Sequence, residues 1–379
     1  MKKNLFWTIL AGVALVSCVN DDVLEQHNQN RQELTFGNPV LNSQTKVTGE
    51  ISGTTYPTDE NFIVWGIETT GNYQGWGATN ASSFFGANGV VVTNDGYTDS
   101  YWHIMYGSDD AAKYYWPSEA THKLTFAACS PARVTAHATV TYDATGLQLK
   151  DYTMPAEPNL HFDIMYSPRV LNVTESPVTI NFSHALSSIV FQTVKPSVEE
   201  GGAYSIKITD ITLSGKIENK GTFKYAYDAA STSSTGTAGW TDRSVTDNTI
   251  TYDLLNEPFE VPTTSSPIAK VKPFLAIPQT VNSDMKVSIT YQIVQQDGET
   301  PVELTKVFAF TDFTLPNTNG DYTNSWDMSN RYKYHIHFGK LKEITFAPTV
   351  NDWTTKDAGE VEISTSSAAV QEEQQDLFL

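Results

Sequence analysis

The sequence predicts an all-β protein, two tandem β-sandwich domains following an export signal and a tether. Three observations carry that expectation. Short runs alternate apolar and polar residues at period 2. Gly, Pro and Asn recur between those runs, as they do at strand ends. No stretch of about a dozen residues or more shows the 3.6-residue apolar period of an amphipathic helix.

The N-terminal end sets the compartment. Lys2 and Lys3 precede an apolar run over residues 5–16. That run is too short for the ~20 residues a bilayer span requires and fits a signal peptide. It closes on Leu15, Val16, Ser17 and Cys18, small residues before a cysteine, the pattern of the bacterial lipoprotein pathway. The expectation is a signal peptide over residues 1–17 and a mature chain that begins at an acylated Cys18. Each buried acyl CH₂ contributes about 0.8 kcal/mol, so several chains hold a protein at a membrane without a spanning helix. An ordinary secretory peptide with an incidental cysteine is the plainer alternative. Residues 18–32 are polar and aperiodic and read as a flexible tether.

The first domain is expected over residues 33–175, the second over 176–363, with a polar tail at 364–379. Strands are expected at 61–67, 124–128, 178–182, 188–194, 286–294, 307–310, 331–338 and 343–346. In the run 286–294, Val287, Ile289, Tyr291 and Ile293 share one face. In 331–338, Tyr332, Tyr334, Ile336 and Phe338 do the same. Between Ile208 and Ile211 the apolar phase slips at Asp210, which predicts a bulge or a bend between two strands. Residues 69–100 and 227–249 carry little pattern and read as loops, the second anchored by Trp240.

Composition narrows the function. The formal net charge is −19 and the isoelectric point is near 4.7. That argues against nucleic-acid partners and against direct adhesion to anionic lipid. Charged residues make up only 18% of the chain, so solvated faces are built from hydroxyls and amides, as in extracellular β proteins.

Catalytic patterns are scarce. The chain contains no G-x-S-x-G, H-E-x-x-H, C-x-x-C or phosphate-cradling glycine loop. His335 and His337 share a strand face at a spacing able to chelate a metal, but Lys333 lies beside them and no third ligand is near in sequence. They read as a solvated face. Asp109 with Asp110, and Asp321 near Asp327, lack EF-hand spacing and read as surface acids. Cys129, in LTFAACS at 124–130, reads as a small buried side chain. No enzyme, cofactor or metal is expected. Trp76, Tyr97, Tyr101 and Trp102 lie in loop-like sequence, where exposed rings could contact a glycan or a protein partner, or plug the end of the first sandwich. Tyr114, Tyr115 and Trp116 are expected to enter the core.

One resemblance covers nearly the whole mature chain. It rests on LTF at 34–36, NFIVWG at 61–66, YWP at 115–117, KLTF at 123–126 and DIMYS at 163–167. It continues in FSHALSSI at 182–189, YKYHI at 332–336 and ITFAPTVNDW at 344–353. In this order the motifs resemble the fimbrillin-like proteins of Bacteroidetes, the subunits of type V pili and their lipoprotein relatives. The resemblance implies two transthyretin-like sandwich domains and lipid-anchored display at the outer membrane, in a fimbrium. Asp21 and Asp22 resemble the surface-export signal of such lipoproteins. Implied partners are other pilus subunits and a host or bacterial surface protein or glycan. It also implies proteolysis after an Arg in the loop following the first strand. Loss of that strand opens an apolar groove, which a strand of another subunit fills. An unfilled groove is an unpaired sheet edge.

Here the first strand maps to Glu33, Leu34, Thr35, Phe36, Gly37, Asn38, Pro39 and Val40, and the following loop to 41–50. The basic residue of that loop is Lys46, which lacks the planar fork of an arginine. Arg31 precedes the strand, so a cut there frees the lipid without opening the groove. Two readings stay open. Without a cut at Lys46 the chain is an anchor, a terminal subunit or a non-polymerising relative; with one, it is a stalk or tip subunit. The lipid expectation has a direct check: Cys18→Ala removes labelling by a palmitate analogue and releases the protein from the membrane fraction.

Overall fold

The computed structural model describes residues 32–41, 56–105, 113–194, 204–338 and 344–352, apart from short stretches at 229, 248, 263–265, 268–270, 273, 296–299, 313–314 and 317–321. Among them the regular structure is strand, with three short 3₁₀ turns at Ala132–Ala136, Pro158–Leu160 and Phe310–Asp312. None of their helices is long and apolar enough to cross a membrane.

The strand Phe62–Thr70 begins FIVWGI, apolar at each position because both of its faces are buried. Phe62 and Val64 point into one core; Ile63, Trp65 and Ile67 point into another. Its neighbour His122–Ser130 divides the same way: Leu124, Phe126 and Ala128 enter the first core, Ala127 and Cys129 the second. Cys129 is thus a packing residue, and burial pushes its thiol up to about 12. Gly66 takes an inward position, and an added Cβ there would sit 2.9 Å from the Phe85 ring. Glycine is what lets that ring lie against the sheet.

These strands belong to a ten-stranded sheet. Its order is Thr35–Phe36, Trp102–Ile104, Val90–Thr93, Phe62–Thr70, His122–Ser130, Met165–Tyr166, Asn181–His184 and Val40–Leu41, with Ala81–Ser83 and Val170–Val173 attached at the side. The first and last members are consecutive pieces of one stretch of chain, so the sheet closes on itself as a barrel. The inner core is aromatic: Phe36, Tyr56, Phe62, Phe85, Trp102, Trp116, Phe126 and Phe182 all lie in it.

The outer face of the barrel is covered by a four-stranded sheet, Thr237–Ser244, Lys220–Ala226, Gly146–Thr153 and Thr139–Asp143. Tyr142 packs on Trp65, and Phe223 and Tyr225 pack on Tyr166. One hairpin of this sheet comes from each half of the chain, joined by Lys220–Ala226 against Gly146–Thr153. Arg169 pins the same junction. Its Nε donates to Tyr142 Oη at 3.0 Å and its guanidinium lies 3.6 Å from the Tyr227 ring centroid.

The second half is a sandwich. One sheet pairs Ser187–Val194 in parallel with Asn330–Phe338, which Ile344–Asp352 flanks. The other runs Ile250–Asp253, Tyr204–Gly215, Lys286–Gln295, Val302–Ala309. The inner faces meet through pairs such as Tyr291 and Phe338, centroids 5.2 Å apart. The register shifts between Ile208 and Asp210, the bulge that the apolar phase slip predicts.

Two expectations are corrected. Residues 227–249 contain the strand Thr237–Ser244, and residues 69–100 contain Ala81–Ser83 and Val90–Thr93. TAGWTDRS shows no one-faced alternation because it is an outer strand held by backbone pairing. Pairing also continues past residue 175, since Asn181–His184 joins Met165–Tyr166 in the barrel.

Where the halves meet, the buried His161 ring packs on Tyr252 and Phe274 while Nε2–H donates to the carbonyl of Pro155. Burial lowers its pKa to about 4, so the folded state holds it neutral. The unfolded chain takes up the proton near pH 6.5. His161's contribution is therefore complete above that pH and is lost as pH falls toward 4, a penalty on the order of 3 kcal/mol. Denaturant melts of wild type and His161→Phe at pH 7.5 and 4.5 check this: the acid-induced drop shrinks in the variant.

Candidate functional site: the slot that holds residues 33–41

Residues 33–41 supply no catalytic chemistry; what they supply is closure. On one side, Leu34 N–H donates to the Tyr114 carbonyl at 3.0 Å, Trp116 N–H to the Gln32 carbonyl at 3.1 Å, and Thr35–Phe36 pairs antiparallel with His103 and Trp102. On the other, Val178 N–H donates to the Thr35 carbonyl at 3.0 Å. Gly37 N–H donates to Val178 at 2.9 Å and Val40 N–H to Ile180 at 2.9 Å, in a parallel alignment. Both edges of the barrel are satisfied by this one stretch.

Leu34 and Phe36 point inward; Gly37 and Asn38 shift the phase, so that Pro39 and Leu41 do so next. Phe36 packs edge-on against Phe126 and Phe62, with centroids 5.6 and 6.2 Å away. Burying Leu34, Phe36 and Leu41 contributes roughly 1.5–3 kcal/mol each. Tyr56, which follows the undescribed stretch 42–55, stacks on Phe182 and meets Trp102 in the same core. Burial raises its phenol pKa, and its hydroxyl and that of Ser130 lie 2.6 Å apart, a hydrogen bond.

Two side chains hold the segment by polar contacts. Ser176 Oγ accepts from Thr35 N–H at 3.0 Å and from Trp116 Nε1–H at 2.8 Å, and donates to the Glu33 carbonyl at 3.1 Å. Trp102 Nε1–H donates to Asn38 Oδ1 at 3.1 Å. On the outer wall, His103 Nε2 bonds the Asp99 carboxylate, which holds Asp99 below the usual carboxylate range. Glu33 lies 4.0 Å from His103 Nδ1 and 3.8 Å from Lys113 Nζ.

The sequence profile described as fimbrillin-like matches residues 45–353, most of the chain. The protein belongs to the fimbrillin-like family. That is not an enzyme family. The chain matches none of the curated proteins. Among solved structures it is similar to a fimbrial protein of Bacteroides vulgatus, at 18% identity and TM-score 0.52, over 84% of this chain and 100% of that one. It is also similar to proteins assigned to cell adhesion from Bacteroides uniformis and Bacteroides ovatus. Each is 14% identical, over 86% of this chain and 99% of the other, with TM-scores of 0.47 and 0.45. The profile match starts after the closing segment.

The remaining sequence-derived candidates of this fimbrillin-like chain are dispersed. Trp102 is corrected: it is 0% exposed, because the strand Trp102–Ile104 turns Trp102 and Ile104 inward and leaves Tyr101 and Met105 outside. Trp76 is half-buried against Tyr142. Tyr101 at 41% and Tyr97 at 39% are the exposed rings of that group, and Tyr97 stacks on His103 at 3.8 Å. Tyr114 and Tyr115 are half-buried and Trp116 is buried. His335 and His337 are half-buried with ring centroids 6.1 Å apart, and no group of three or more metal-ligating side chains occurs among the described residues. Cys18, Arg31, Lys46, Asp109, Asp110 and Asp321 lie outside those residues. Ser176 had no signal in its own sequence, its partners being 60, 141 and 143 residues away. Trp102 had one: the alternation of Tyr101, His103 and Met105 with Trp102 and Ile104.

Phe36→Ala is expected to cost about 3–5 kcal/mol. Hydrogen exchange read by mass spectrometry should then quicken over 33–41 and 176–182 while Lys286–Gln295 stays protected.

Proposed function

We propose that this protein is a structural and adhesive subunit of a cell-surface type V pilus, held at the outer membrane through a lipid on Cys18, that joins its neighbours by strand addition. The observation that carries this reading is the closure of the barrel by a single short segment, residues 33–41, paired along both edges. Leu41 and Tyr56, on either side of the stretch that contains Lys46, are both buried in the barrel. A cut in that stretch leaves 33–41 held only by hydrogen bonds and apolar contacts. Another strand offering the same backbone groups and inward side chains can then replace it. Family membership and the fimbrial neighbour support the same reading.

The state of residue 46 decides the place in the assembly. A chain that keeps its closing segment has no open slot and serves as anchor or terminal subunit. A chain cut after Lys46 exposes the slot and extends the polymer.

The test is a full-length protein carrying a specific protease site within 42–55. Intact protein should stay monomeric on size exclusion. Cut protein should form multimers, or take up a labelled peptide of residues 33–41 that suppresses them. A cut protein that does neither would sink the proposal. Mass and N-terminal analysis of the native protein then separates the roles: acylated Cys18 at the start marks an anchor or terminal subunit, Val47 a polymerising one.

A further inference from the structure

Apolar burial alone leaves the slot ambiguous. Its inward residues are Leu34, Phe36, Pro39 and Leu41, and many short strands offer apolar side chains at such positions. Something other than apolar contact must fix which residue stands where.

We infer that Trp102 and Ser176 are the residues that set which strand the slot accepts and in what register, an inference that rests on the strand-addition reading. Trp102 lies in the barrel core, fully buried, and its indole N–H is a donor only. The group that receives it is Asn38 Oδ1. A slip of two residues in either direction brings Phe36 or Val40 to that place, and neither side chain has an acceptor. Ser176 adds a second restriction. Its hydroxyl uses its full capacity, one donated and two accepted bonds, and two of the three go to the backbone of Glu33 and Thr35. A strand with proline at the position of Thr35 has no N–H to give. The slot therefore selects a strand with large apolar residues where Leu34 and Phe36 stand, an N–H at the residue between them, and a carbonyl or carboxylate side chain two residues beyond the second.

The consequences differ from those of simple packing. Asn38 is itself exposed while Trp102 is 0% exposed; leucine in its place accepts nothing, so the indole N–H loses its partner. Aspartate keeps the acceptor. In a Trp102→Phe barrel the donor is gone and the preference for an acceptor goes with it.

The experiment uses the full-length protein cut within 42–55, its own segment displaced, and labelled peptides of residues 33–41 read by fluorescence anisotropy. The Asn38→Leu peptide should bind roughly tenfold to hundredfold more weakly than the native peptide, and the Asn38→Asp peptide about equally. The Thr35→Pro peptide should fail to bind. On the Trp102→Phe barrel the native and Asn38→Leu peptides should bind alike. Equal binding of the native and Asn38→Leu peptides to the Trp102 barrel overturns the inference while leaving strand addition standing. Failure of the native peptide itself removes both.

Discussion

A sheet that curls into a barrel needs its two edges to meet, and here they do not meet directly. They are joined by residues 33–41, antiparallel to the strand at 102–104 on one side and parallel to residues 178–182 on the other. Without that segment two rows of backbone N–H and carbonyl groups would face water or another chain. The aromatic interior depends on the same closure, since Phe36 completes the contacts of Phe62 and Phe126. The second core, on the barrel's outer face, depends on it at one remove, because Phe62–Thr70 and His122–Ser130 present residues to both.

The interior composition follows from geometry. The interior of a closed barrel widens with strand number and must be filled by side chains, and large rings packed edge-on fill this one with favourable quadrupole contacts. Tryptophan and tyrosine also bring polar groups, which must be paired once buried. Tyr56 meets Ser130, Trp116 meets Ser176 and Trp102 meets Asn38. Two of those three pairings end on the closing segment or on the serine that grips it. The need to satisfy buried indoles thereby becomes a way of recognising one strand.

Legibility in the sequence tracked how local each constraint was. Strands with one buried face, such as Lys286–Gln295 and Asn330–Phe338, announce themselves by period 2, and the bulge at Asp210 shows as a break in phase. The apolar run at 62–67 reads as a strand although both faces are buried. Thr237–Ser244 escaped because an outer strand with mixed faces needs backbone partners more than a pattern. The joining of the two halves in one sheet could not be read, since nothing near residue 149 marks Phe223 as its partner. The closing segment was legible as a strand through the resemblance, but its grip by Ser176 was not, because a hydroxyl between Glu175 and Pro177 looks like any turn residue.

The sheet shared by the two halves has a mechanical meaning. The halves are connected by the continuous chain between Asn181–His184 and Ser187–Val194, and also by the ladder between Gly146–Thr153 and Lys220–Ala226. In a filament under tension, a single covalent linker would let neighbouring bodies swing and stretch apart. A ladder beside it shares the load over several hydrogen bonds at once, with Arg169 bracing its end against Tyr142 and Tyr227. In the pilus proposed above, the subunit would carry force as one stiff body, and compliance in the fibre would come from the places where one chain meets the next.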